Sequence, residues 1–150
     1  MTTLAQQPSA AVLHSSYANR ACRFEISVDP MRALVRATLA GFFTVEDVRQ
    51  FAQAEQAAAE SLGCPPGEHR ALIDATRSEV HSREVAEAFA HMVSASPLRA
   101  RRLAVVAINT LHRIQTRRII STDRSAMFAT IEEAEAWIDA DVVAVEKAAA

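Results

Sequence analysis

Leu103-Ala-Val-Val-Ala-Ile108 is an unbroken apolar run, and it constrains the chain more than any other segment. Six apolar residues in succession suit a central strand covered on both faces, since a half-exposed strand alternates instead. Such a strand requires a sheet with helical layers around it. The flanking segments meet that requirement by switching between a period of two and a period of 3.6.

Phe24, Ile26 and Val28 alternate with Arg23, Glu25 and Ser27, and Asp29-Pro30 then breaks the pattern. A second alternation sets Ala33, Val35, Ala37 and Leu39 against Arg32, Leu34, Arg36 and Thr38. The short connection predicts an antiparallel hairpin. Thr44-Val-Glu-Asp47 has capping-box spacing, and Val45, Val48, Phe51, Ala52, Ala59 and Leu62 follow at helical spacing up to Gly63 and Pro65-Pro66.

The segment Ala71-Leu-Ile-Asp74 reads as a buried strand ending in a carboxylate, followed by a polar loop and a helix opening at Ser82. Val85, Phe89, Met92 and Val93 line that helix, and Ser96-Pro97 ends it. After the central strand, Asn109-Thr110 caps a helix over roughly 111–121 with Leu111, Ile114 and Ile119 as its apolar positions. A short strand, Ala126–Ala129, leads to the capping box Thr130-Ile-Glu-Glu133, and the last helix buries Ala134, Trp137 and Ile138 and extends toward Val142 and Val145.

The order is β-β-α-β-α-β-α-β-α. It predicts a single α/β domain over residues 21–145, with a mixed, mostly parallel sheet of about five strands and four helices. Residues 1–20, rich in Thr, Gln, Ser and Ala, are expected to form a flexible arm, and 146–150 an Ala-rich tail.

Charge is unevenly spread although the formal net charge is only -2. Arg99, Arg101, Arg102, Arg113, Arg117, Arg118 and Arg124 face a single acid, Asp123, within one segment. Glu132, Glu133, Glu135, Asp139, Asp141 and Glu146 dominate the next. Internal complementarity between the two blocks is the expectation. A nucleic-acid surface is disfavoured because the Arg-rich segment lacks interleaved aromatic residues.

With only Gly41, Gly63 and Gly67, the chain holds no dinucleotide or phosphate-binding glycine motif. His14, His69, His81, His91 and His112 lack metal-ligand spacing, and no nucleophile elbow surrounds any serine. No catalytic residue, metal or cofactor is therefore expected. Two cysteines, Cys22 and Cys64, read as free thiols, and the first nineteen residues carry no Lys or Arg and no sustained apolar core. These features point to a cytoplasmic protein without a membrane span.

Phe24-Glu-Ile-Ser-Val-Asp29, Thr38-Leu-Ala-Gly41-Phe-Phe-Thr44, Leu72-Ile-Asp74, Arg102-Leu-Ala-Val-Val106 and Met127-Phe128 with Glu133-Ala-Glu-Ala-Trp137-Ile138 occur in an order that resembles the STAS-like fold, in particular the SpoIIAA-like proteins. The resemblance covers about residues 22–140. It implies a non-catalytic regulatory module. In the anti-sigma-factor antagonists such a domain binds a partner kinase, and phosphorylation of a Ser at the start of the second helix breaks the contact. That region falls here on Asp74, Thr76, Ser78 and Ser82, the candidate partner-binding or phospho-acceptor residues. The antagonists' Asp-Ser followed shortly by Gly is replaced by Asp74-Ala-Thr-Arg-Ser-Glu-Val-His-Ser82. Related STAS/SEC14-like proteins imply an alternative, a carrier of a small or lipid-like ligand, for which Phe42, Phe43, Phe51, Phe89 and Phe128 supply apolar bulk. The exposed edge of the opening hairpin also allows a homodimer.

Overall fold

The computed structural model describes residues 13–95, 99–120 and 123–149, and side chains as far as Asp141. A six-stranded sheet runs in sequential order: β1 (His14–Ala18), β2 (Cys22–Asp29), β3 (Leu34–Gly41), β4 (Arg70–Ser78), β5 (Arg102–Val106) and β6 (Ser125–Phe128). The first three strands are antiparallel, and β3 to β6 are parallel. The helices are α1 (Val45–Ser61), α2 (Arg83–Ser94), α3 (Thr110–Ile119) and α4 (Ile131–Ala149).

Strand order equal to chain order, with crossovers of one hand, places successive helices on one face. Val48, Phe51 and Ala58 of α1, Val85, Phe89 and Met92 of α2, and Ile120 after α3 accordingly share one core with Phe24, Ile26, Val35, Ala37, Ile73 and Val105. α4 turns back over the other face, where Ala134 and Ile138 pack on Leu34, Leu72, Ala104 and Val106. The apolar run of β5 is thus covered on both sides. Leu34, expected on the solvent side of its strand, is fully buried beneath α4.

Three boundaries differ from expectation. The sheet has six strands rather than about five, because His14–Ala18, inside the segment expected to be an arm, pairs with β2. Tyr17 stacks on Phe24 at 5.0 Å, and its hydroxyl donates to Asp47 Oδ1 at 2.8 Å. Asn19 donates to the same oxygen at 2.9 Å. Residues 1–12 of the expected arm, and the Ser96-Pro97 helix stop, lie outside the described residues. Second, β4 continues four residues past Asp74, taking Thr76 and Ser78 out of the expected loop. A register shift between Thr38 and Ala40 of β3 lets this longer strand stay paired. Third, α4 runs through Val142 and Val145 to Ala149, so most of the expected tail is helical.

The capping predictions correspond to real bonds. Thr44 and Asp47 form a reciprocal capping box at α1. Ser82 Oγ accepts from Val85 N at 3.2 Å, Asn109 from His112 N at 3.1 Å, and Thr130 from Glu133 N at 3.1 Å. At the end of β3, Gly41 holds a positive φ of 89°, and a Cβ there would collide with the Ala21 carbonyl oxygen, which accepts from Phe42 N.

Candidate functional site at the carboxyl edge of the sheet

The four residues singled out at the β4–α2 junction divide between two sides of the sheet. Ala71, Ile73 and Ala75 of β4 enter the core under α1 and α2, so Asp74 lies on the side of α4. Its Oδ1 accepts from Thr76 N at 3.0 Å and Thr76 Oγ1 at 2.7 Å, which fixes the carboxylate. Ser78 is buried at 8% exposure, and its hydroxyl donates to the Glu79 carbonyl at 3.3 Å. Ser82 is exposed at the N-terminus of α2, the helix that packs on the opposite face from α4. Asp74 and Thr76 are brought together. Ser78 and Ser82 do not join them, and of the four only Ser82 offers an open hydroxyl beside a helix start.

The carboxyl ends of β3, β4 and β5 form one connected edge. Glu79 N donates to the Gly41 carbonyl at 3.0 Å, joining the first two loops. His81 N donates to Gln115 Oε1 and Gln115 Nε2 to the His81 carbonyl, both at 2.8 Å, so α3 grips the loop before α2. Underneath, His81 lies 4.7 Å from the Phe89 ring, 5.4 Å from His112 and 6.2 Å from Phe43. Burial, and then the neighbouring His112, push the His81 imidazole down to about 4, and burial also lowers His112. Both rings are therefore neutral at neutral pH, which suits a packing role.

Sequence reasoning missed this pair because the two histidines are far apart in the chain and meet only when α3 returns beside α2. The reading of α3 also changes: His112 and Thr116 point inward, while Leu111 and Ile114 are 57% and 44% exposed.

They are not alone. Among the described residues seven large hydrophobic side chains are exposed, and six of them, Phe42, Val45, Val80, Ile108, Leu111 and Ile114, stand on the loops and helix starts after β3, β4 and β5. Only Met31 lies elsewhere. Arg117 and Arg118, exposed in the last turn of α3 and three and four residues beyond Ile114, have no ion pair among the described residues. The expected complementarity between charge blocks is met elsewhere, where Asp141 receives Arg101 and Arg102.

The phenylalanines expected to line a carrier pocket are dispersed. Phe43, Phe51 and Phe89 are buried in the core, Phe42 is exposed, and Phe128 packs on Trp137 under α4. The cavity beside Phe89 and His81 measures only about 40 Å³. Among the described residues no three His, Cys, Asp or Glu side chains gather as a metal site, and no helix is long and apolar enough to cross a membrane.

This arrangement defines an α/β domain of the STAS/SpoIIAA-like fold. An anti-sigma factor antagonist from Mycobacterium paratuberculosis shares it with a TM-score of 0.53 and 12% identity, over 86% of this chain and 95% of that one. An uncharacterised protein with a SpoIIAA-like fold from Shewanella loihica PV-4 matches at a TM-score of 0.56 and 18% identity, over 88% and 98%. No family model and no curated protein matches this chain. At these identities the likeness is one of fold.

Proposed function

We propose that the chain is a non-catalytic, cytoplasmic regulatory module that binds a protein partner through the carboxyl edge around Ser82. The observation that carries this reading is the gathering of six exposed apolar side chains on that edge. Exposed apolar side chains concentrated at one edge of an otherwise well-packed domain suit an interaction site. An anti-sigma factor antagonist with the same fold supports a regulatory partner, and Arg117 and Arg118 in the last turn of α3 favour an acidic one.

Ser82 is the residue through which such binding is regulated. Its hydroxyl is exposed at a helix N-terminus, where a phosphate is stabilised by the helix dipole and free backbone N–H groups. Ser78 is buried and Thr76 is bonded to Asp74, so neither competes as an acceptor.

Ser82→Asp tests the assignment cleanly, because Asp also caps helices and leaves α2 intact. The expected outcome is an unchanged denaturation midpoint with partner capture from native cell extract reduced about tenfold or more. Equal capture by Ser82→Asp and the natural chain would remove Ser82 from the interface.

A further inference from the structure

Among the described residues, the face of the sheet opposite α1, α2 and α3 is covered by α4 alone. α4 lies over β4, β5, β6 and the start of β3, so no other described element covers the part of β2, β3 and β4 nearest the carboxyl edge on that side. Because Phe24, Ile26, Ala37, Leu39, Ile73 and Ala75 point into the other core, their neighbours in each strand point outward here.

Strand register orders those neighbours into rows. Arg23, Ala40 and Arg77 form one, and Glu25, Thr38 and Asp74 the next. The two rows line a groove of about 370 Å³, within the usual range for small-molecule sites. A further space of about 300 Å³ continues from Glu25, Thr38 and Asp74 toward His14, Arg36 and the start of α4 at Ile131.

The charges of these rows are unspent. Arg36, one row further along, is engaged by Glu135 of α4. Arg23, Glu25 and Arg77 make no ion pair among the described residues, and the Thr76 bonds to Asp74 occupy only Oδ1. Arg23 and Arg77 stand two strand spacings apart, about 9.6 Å between backbones. The small Ala40 between them leaves room for both guanidinium groups to converge on one anion. One row along, a distance of about 7 Å, two carboxylates flank the Thr38 hydroxyl and offer acceptors only.

We infer that this groove binds a small zwitterion, its anionic group held between Arg23 and Arg77 and its ammonium between Glu25 and Asp74. A simple anion placed on the arginines meets two carboxylates in the next row, and a simple cation on the carboxylates meets two arginines. Only a ligand with both charges, spaced like the rows, satisfies both. Exposed charges give modest energies, so the fit predicts millimolar binding for a minimal probe. The site is independent of the carboxyl-edge patch, since none of the six exposed apolar residues lines the groove.

The test is a titration of the full chain, followed by backbone-amide NMR, with ε-aminocaproate, caproate and hexylamine. The extended ε-aminocaproate matches the row spacing of about 7 Å. Saturable shifts confined to residues 23–25, 38–40 and 74–77, with ε-aminocaproate at least about tenfold tighter than either single-charge analogue, are the expected result. Arg77→Ala should reduce ε-aminocaproate to the affinity of hexylamine, and Glu25→Gln to that of caproate. Both residues are exposed, and the same spectra report that the fold is kept. Equal affinity for all three probes, shifts scattered over the surface, or no saturation would each overturn the assignment.

Discussion

Glu55 sits on the inner side of α1 with 3% exposure, and its Oε1 has no hydrogen-bond partner among the described residues. Burial pushes its carboxyl from an ordinary 4.5 up to about 7. The folded chain therefore holds a proton that the unfolded chain releases as pH rises above the ordinary value. Its contribution is fully present below pH 4.5 and is lost as pH rises through about 7. The span corresponds to on the order of 3 kcal/mol. Glu55→Gln removes the titration. Between about pH 5 and about pH 8, urea unfolding should show the variant gaining on the natural chain by roughly that amount. Parallel stability–pH curves for the two proteins would show that Glu55 is not the titrating group. The position was legible as an inner one: Val48, Phe51, Glu55 and Ala58 follow helical spacing, and all four are buried. Only the carboxylate kept it out of the expected apolar stripe, while Val45, counted in that stripe, is 43% exposed.

At the scale of elements, α4 is fastened by charge as well as by its apolar face. Asp141 accepts from Arg70 Nε at 2.7 Å and Arg101 Nε at 3.2 Å, with Arg102 Nε at 3.6 Å. Arg102 also lies 4.3 Å over the Trp137 ring and donates to the Trp137 carbonyl at 2.9 Å. Nearer the start of the helix, Glu135 pairs with Arg32 and Arg36, and Asp139 with Arg32. These pairs differ in burial. Arg70 is 7% exposed, so Asp141→Asn leaves a buried cation without its counter-charge and should cost about 3 kcal/mol or more. Asp139 has a side chain 58% exposed, and Asp139→Asn should cost less than about 1 kcal/mol. Chemical denaturation of the two variants measures the contrast, and equal losses would refute the role of Asp141. The opposing charge blocks were legible in the sequence, because local charge runs are. Which Arg meets which acid was not, since it depends on where α4 crosses the sheet. β1 was hidden for a similar reason: Ser15, Ser16 and Tyr17 carry little periodic signal, and the segment is placed by β2 and by Asp47, both distant in the chain. The end of β4 was misread because Thr76 and Arg77 look like loop residues, yet pairing with β3 holds them in the sheet.

For the molecule as a whole, sequential strand order separates two kinds of surface. One helix layer closes over the larger core, and the loops that feed it collect exposed apolar residues at the carboxyl edge. Among the described residues, the other face is only partly roofed by α4 and keeps its charged rows open. The fold order was readable from alternating periodicities; this segregation was not, because it arises from loops and strand faces that meet only in the folded sheet. It leads to a prediction about the whole surface. Phe42→Ser, Leu111→Ser and Ile114→Ser replace side chains that are 60%, 57% and 44% exposed, so each should change stability by no more than about 0.5 kcal/mol. If the carboxyl edge is the docking surface, combining them should abolish the same complex that Ser82→Asp weakens, because apolar anchors at the centre of an interface carry most of its energy. Arg77→Ala, in the groove, which none of the exposed apolar residues lines, should leave that complex intact. Quantitative mass spectrometry of material captured on the natural chain, the triple variant and Arg77→Ala makes the comparison. A complex that survives the triple substitution but is lost with Arg77→Ala would move the partner from the apolar edge to the charged face.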